Sequence, residues 1–286
     1  MAGNAAIRTS NEAALILKDI WDSQFALDPT EEAVFAPLVS QPVGGQNIGN
    51  KLHLRKLAAM TTQTVSASTT YDATAMTFNQ NTEAEVTIEP ASYFSAIEIN
   101  PDTLEQIVDD GEAVAGWRKQ LMASLTEKID EKLGVLAESA SLTETGASFT
   151  EAMWQAALGK LAKNAKGKFK IGKTPHNLVL HPDKLAQALN LDALRSYRIR
   201  GNQGAAVSGA LVETYGANIE ETGKVSTTGG TYYMPLFLKD AWAIGWGRKP
   251  KMLEVQHDGL LVRYIAYTSF GVAEWFDSSI VSCNVT

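Results

Sequence analysis

The chain has 286 residues, 45% of them hydrophobic and 20% charged, with 22 Gly and 9 Pro. That composition suits one elaborated domain or two interlocked ones, and excludes collagen-like, linker-like and disordered classes. The 32 acidic and 25 basic residues leave a formal net charge of -7, which argues against nucleic-acid binding by counterion release over the whole surface but permits a local basic patch.

The single cysteine, Cys283, can form no internal disulfide and cannot hold zinc alone, so a cystine-stapled secreted scaffold is excluded and a reducing compartment is the default. Near the N-terminus the run Ala13 to Leu17 lies between Glu12 and Lys18, too short and too charged at its flanks for a signal segment. No run approaches the ~18 apolar residues of a membrane span. A soluble protein without a membrane partner is expected, and the glycosylation pattern Asn284-Val285-Thr286 has no secretory context.

Residues 1–45 read as an arm. Thr9 and Glu12 have capping-box spacing, and Leu17, Ile20, Trp21 and Leu27 follow at helical intervals. The tract after Asp28-Pro29, punctuated by Pro37, Pro42 and Gly44-Gly45, cannot cover its own Val34, Phe35, Leu38 and Val39. A neighbouring subunit is expected to bury them.

Between Ile48 and Ile99 the sequence is rich in Thr, at positions 61, 62, 64, 69, 70, 74, 77 and 82, as suits extended strands. Leu52 and Leu54 alternate on the way out and Val86 and Ile88 on the way back, while 61–82 is mostly polar. This predicts a long hairpin with a polar tip, marginal alone and therefore expected to lie across another molecule.

Residues 101–139 are strongly helical. Asn100 and Pro101 open a short helix with Leu104, Ile107 and Val108, and Asp109-Asp110-Gly111 reads as a joint. Beyond it Val114, Trp117, Leu121, Leu125, Ile129, Leu133 and Leu136 recur at spacings of three and four, which predicts a spine helix over 112–139, about 42 Å long at ~1.5 Å per residue. Its other face, with Glu127, Asp130 and Glu131, reads as solvated. A second helix is predicted over 150–165, with Met153, Trp154, Ala157, Leu158 and Leu161 in register. Residues 101–150 carry 10 acids against 4 bases, and 151–200 carry 3 acids against 10 bases. Opposite blocks of this kind serve contacts between like subunits as well as binding to a polyanion.

A strand at 177–180 leads through His181-Pro182-Asp183 into a helix with Leu185, Ala188, Leu189 and Leu191. Strands are then predicted at 209–215, 232–238, 241–246, 252–257, 260–268 and 280–285, with Asp258-Gly259 as a hairpin turn. Helices early and strands late, without βαβ alternation, give an α+β fold class.

No enzyme signature survives. Gly204 and Gly209 have phosphate-loop spacing, but Ala210-Leu211 stand where Lys and Ser/Thr are needed. Gly44, Gly45 and Gly49 do not make a dinucleotide fingerprint, and Ser208 lacks the first glycine of a nucleophile elbow. His53, His176, His181 and His257 are scattered and read as structural, since no metal or acid-base partners assemble around them. Cys283 reads as an apolar filler, and the six Trp as core or interface anchors. No catalytic, cofactor-binding or metal residue is nominated. The tract Lys160 to Lys173 is the best nucleic-acid candidate, though with only Phe169 interleaved it offers little for stacking on bases.

The order of these parts, an arm, a long extended loop, a spine helix and a mixed domain closing in strands, resembles the major capsid proteins of tailed bacteriophages, whose Johnson fold is shared with encapsulins. Ile99-Asn100-Pro101-Asp102 through Leu125-Thr126-Glu127-Lys128-Ile129-Asp130 resembles their joint and spine, Leu178-Val179-Leu180-His181-Pro182 their axial-domain strand-to-helix turn, and Leu236 to Trp246, Lys251 to His257 and Tyr264 to Trp275 their late strands. The resemblance implies an N-terminal arm at 1–45, an extended loop at 46–99 over a neighbouring subunit, a peripheral domain with the spine at 100–175, an axial domain at 176–247 and closing peripheral strands at 248–286. It further implies a non-enzymatic virion protein, assembled in the host cytoplasm as hexamers and pentamers into an icosahedral shell around double-stranded DNA held non-specifically. Portal, decoration proteins and a scaffold would be its partners. Because 45 residues precede the loop, a scaffold is expected from a separate protein; because 61–82 contains no lysine, the nearest being Lys51 and Lys56, a lysine crosslink is not expected. An encapsulin-like cellular shell is the alternative, and a β-rich hydrolase or binding module would need a concave polar site that no cluster announces.

Overall fold

The computed structural model describes residues 33–42, 51–57, 83–99, 110–191, 216–257 and 261–286. In chain order its elements are α1 (Phe35–Leu38), β1 (Leu52–Leu57), β2 (Glu83–Ile88), β3 (Ala91–Ile99), α2 (Asp110–Val135), β4 (Thr143–Gly146), α3 (Glu151–Asn164), β5 (His176–Leu180), α4 (Pro182–Leu189), β6 (Ala217–Glu221), β7 (Thr227–Thr228), β8 (Thr231–Phe237), β9 (Trp242–His257), β10 (Leu261–Glu274) and β11 (Ile280–Val285). The expected N-terminal helix, the hairpin tip 61–82, the short helix with Leu104, the strand 209–215 and the Asp258-Gly259 turn lie outside the described residues.

Three sheets form. β1 pairs with β2, β10 lies between β3 and β9, and a larger mixed sheet runs β4-β11-β8-β5-β6 with β7 added to β8. Residues 91–99, expected in the hairpin, therefore pair with β10 instead. The spacing that predicted one strand at 241–246 and another at 252–257 also gives way, because β9 runs unbroken through Pro250. β9 lies at the edge of its sheet, where a residue without an N–H costs no ladder bond.

The chain divides into two compact units. In the first, Leu121 and Leu125 of α2 are buried with Ile99, Tyr264 and Ala266, and Ile97, Trp117 and Met252 pack against them. Arg118 of α2 donates to Glu254 at 2.8 Å and stacks over Tyr264 at 5.0 Å. Asp110 and Gly111, expected in a joint, are helical, while Asp109 lies outside the described residues; the spine helix gives way after Val135 to a turn whose 3-residue bonds run from Leu136, Ala137 and Glu138 back to Leu133, Gly134 and Val135. At ~1.5 Å per residue it spans about 39 Å.

The second unit contains the six-stranded sheet. Thr150 caps α3 by accepting the Met153 N–H at 3.3 Å, and Met153, Trp154, Ala157, Leu158 and Leu161 form its buried face. β11 carries buried Ile280, Val281, Cys283 and Val285 and lies between β4, parallel, and β8, antiparallel. Every β11 residue but Asn284 is buried, as suits a strand with a neighbour on each side in a mixed sheet.

Two expectations about the arm and the spine are corrected. Phe35 and Val39 are buried within this chain, not left for a neighbour: Phe35 meets Trp242 with ring centroids 5.9 Å apart, and Trp242 stacks on Phe237 at 4.7 Å. Ser40 bridges to Ala243 in parallel, donating to the Trp242 carbonyl and accepting from the Ile244 N–H. Asp130 is not on a solvated face. It is buried at 1% exposure and accepts the N–H groups of Val34 (2.6 Å), Phe35 (3.1 Å) and Ala36 (3.3 Å), which orders α1. An ionised carboxylate is tolerated in a core when several N–H donors solvate it.

Candidate functional site

The expected hairpin has its stem in the structure. β1 and β2 are antiparallel, with Leu52 opposite Ile88 and Leu54 opposite Val86. Period-2 alternation puts these four on one face, where Leu54 and Ile88 are buried with Ala243 and pack against Ala273 and Trp275. The opposite face is polar and exposed. His53 meets the Glu85 carboxylate, Thr87 donates to the same carboxylate at 3.2 Å, and these two bonds hold Glu85 below the ordinary carboxylate range. Lys51 pairs with Glu89 at 2.6 Å.

Where the stem meets the body, two glycines make room. A Cβ on Gly271 would lie 2.6 Å from the Glu89 carbonyl oxygen, and one on Gly247 would lie 2.7 Å from the Ser269 hydroxyl and 2.9 Å from Pro90. Any larger residue would have to push the Glu89-Pro90 crossover outward. Beside it an open polar notch of about 560 Å³ is lined by Lys51, Glu89, Ser92, Arg248 and Ser269.

A coupled carboxyl pair lies just beyond. Burial, then a hydrogen bond to Asp277, raises Glu274 to about 7. Asp277 is held below its ordinary value: burial opposes this, but the hydrogen bond from Glu274 and those from the Ser141 hydroxyl and N–H prevail. Lys56, near the end of β1, is the cation acting on both.

The residues singled out from sequence do not converge. His176 is buried edge-on to Phe169, with centroids 4.9 Å apart. His181 caps α4 by accepting the Asp183 N–H at 3.2 Å. Cys283 is fully buried, its thiol pushed up to about 12. Among the described residues no group of three His, Cys, Asp or Glu side chains could hold a metal ion, and no helix is long and apolar enough to cross a membrane. In the basic tract Lys160 pairs with Glu144 at 2.8 Å and Lys168 with Asp240 at 3.0 Å, whereas Lys163, Lys166, Lys170 and Lys173 are exposed.

Sequence reasoning missed one surface. In the first unit the outer face of β3 and β9 exposes Phe94 (76%), Leu253 (48%) and Val255 (39%). The period-2 placement of Phe94 opposite to Tyr93 and Ile97 was its only signal.

No family model matches the sequence, and no curated protein matches it. Solved structures do. A chain of Mycobacterium phage Che8 superposes with a TM-score of 0.71 at 16% identity, over 99% of this chain and 98% of that one. A chain from the mature capsid of bacteriophage PhiM1 gives 0.71 at 10% identity, over 100% and 97%. One from the head of Helicobacter pylori bacteriophage KHP40 gives 0.69 at 12%, over 100% and 99%. The chain has a phage capsid fold. It is the Johnson-type α+β architecture that the order of arm, loop, spine and late strands implied.

Proposed function

We propose that the chain is the major capsid protein of a tailed phage, self-assembling as hexamers and pentamers into an icosahedral shell around double-stranded DNA. The observation that carries this reading is the full-length likeness to capsid and head chains, with coverage of 97% or more on both sides for PhiM1 and KHP40. The exposed Phe94, Leu253 and Val255 support it: singly exposed apolar residues need no explanation, but three on one sheet face suit burial by another copy. The β1–β2 stem supplies the base of the extended loop, the unit holding α2 residues 110–127 the peripheral domain, and the six-stranded sheet the axial domain. The protein acts in the virion and is no enzyme; portal, separate scaffold and decoration proteins would meet it during assembly in the host cytoplasm.

Negative-stain microscopy with sizing chromatography of the purified chain, alone and coexpressed with neighbouring genes, tests the reading. Closed shells or rings of five and six are expected, and a chain lacking 61–82 should fold but not assemble. A monomer in every condition would overturn it, and shells built normally by the deletion variant would remove the loop from assembly.

A further inference from the structure

The basic tract presents four lysines that the fold leaves to a partner. Lys163, Lys166, Lys170 and Lys173 are all exposed, and among the described residues none of them makes an ion pair. Among the described residues Glu144 is engaged by Lys160 and Asp240 by Lys168. The segment is held firmly: Phe169 is buried at 3% exposure against His176, Lys168 donates its N–H to Ala165, and Lys173 and Thr174 both donate to the Lys170 carbonyl. Left-handed φ values at Lys166 (45°), Gly167 (87°) and Gly172 (72°) turn the chain back on itself. The result is a fixed knob with cationic side chains directed to solvent.

We propose that this knob, Lys163, Lys166, Lys170 and Lys173, binds the phosphate backbone of duplex DNA; given the capsid reading, on which the identity of that DNA rests, the DNA is the packaged genome. Lysine is a compact point charge suited to phosphate and lacks the planar fork that reads base edges. The aromatic of the tract, Phe169, is buried and cannot stack on bases. Contact is therefore with backbone, independent of sequence. A protein partner fits less well, because interface centres are depleted in Lys and built around aromatic or Arg anchors, whereas the exposed apolar group here is Ile171 at 49%. The net charge of -7 does not forbid the contact: screening over a Debye length of about 8–10 Å makes the local charge decide.

The test is fluorescence anisotropy of a short fluorescein-labelled DNA duplex of mixed sequence, titrated with the dispersed full-length chain across a range of salt. Four phosphate contacts predict a log–log salt slope of about -3.6, or about a hundredfold loss of affinity between about 50 and about 200 mM salt. The variant K163Q/K166Q/K170Q/K173Q should lose most of that slope yet still assemble, and the corresponding quadruple Lys→Arg variant should retain it. A wild-type chain that does not bind the duplex, or a Gln variant that binds with unchanged affinity and slope, would overturn the proposal. So would a Gln variant that binds DNA normally but no longer assembles, which would make the knob a contact between copies. Lysine-dependent binding by a chain that never forms shells would count against the capsid reading and leave this surface standing.

Discussion

Asp130 holds Phe35. The carboxylate, one turn before Gly134 on the spine helix, accepts three consecutive N–H groups from Val34 to Ala36 and so positions the Phe35 ring against Phe237 and Trp242. Asp130→Ala leaves those donors buried and unanswered, and should cost about 2–4 kcal/mol. Asp130→Asn keeps one acceptor and should cost less. Urea unfolding of the unassembled chain measures both; equal stability of the Ala variant would show that the arm segment adds nothing to the fold.

Gly134 lies in the same contact. An Ala at an exposed helical glycine gains about 1 kcal/mol, but here a Cβ would overlap the backbone carbonyl oxygen of Lys224 and approach the Phe35 ring at 3.6 Å. The sign should reverse, with Gly134→Ala destabilising by about 1–3 kcal/mol in the same unfolding measurement.

Legibility from sequence followed periodicity. The spine and α3 were readable because each buries a regular face, β8 and β11 because each is a short run rich in apolar residues, and the hairpin stem because Leu52, Leu54, Val86 and Ile88 alternate. Asp130 was misread for a physical reason: in a one-dimensional pattern a carboxylate that caps a distant segment looks the same as one facing water, and its partners lie about 95 residues away. Pairings of short strands such as β4 with β11 depend on contacts 139 residues apart and leave no local mark. The two glycines at the stem root carried no turn signal either, since what they permit is the close approach of another backbone.

Gly271 sets the exit of that stem. With Glu89 O at 2.6 Å and the Ile88 side chain at 2.7 Å from a Cβ, Gly271→Ala should displace the Ile88–Pro90 crossover at a cost of about 1–3 kcal/mol. Because the displaced segment roots the extended loop, assembly yield should fall by more than the loss of stability alone accounts for. Comparing shell yield with Gly134→Ala, matched for stability, separates the two effects: equal yields would confine Gly271 to packing.

Glu274, near Lys56 of β1, makes the fold sensitive to pH. Its folded value of about 7 lies above its ordinary 4.5, through burial first and the bond to Asp277 second. A group raised on folding stabilises the fold fully below its unfolded value, and that contribution is lost as pH rises through the folded one. Stability should therefore fall between about pH 4.5 and about pH 7, by about 1–2 kcal/mol once solvent screening at this half-exposed site is allowed for. Asp277, lowered on folding, acts in the opposite sense and in a separate window, losing its contribution only as pH falls below its ordinary 3.8. Glu274→Gln keeps a neutral donor toward Asp277, so it should flatten the profile between pH 4.5 and 7 and exceed the wild type in stability at pH 8. Thermal unfolding of both chains across that range measures it. A wild-type profile that rises over the interval would mean that Lys56, which favours the ionised form, outweighs burial and already holds Glu274 as the carboxylate.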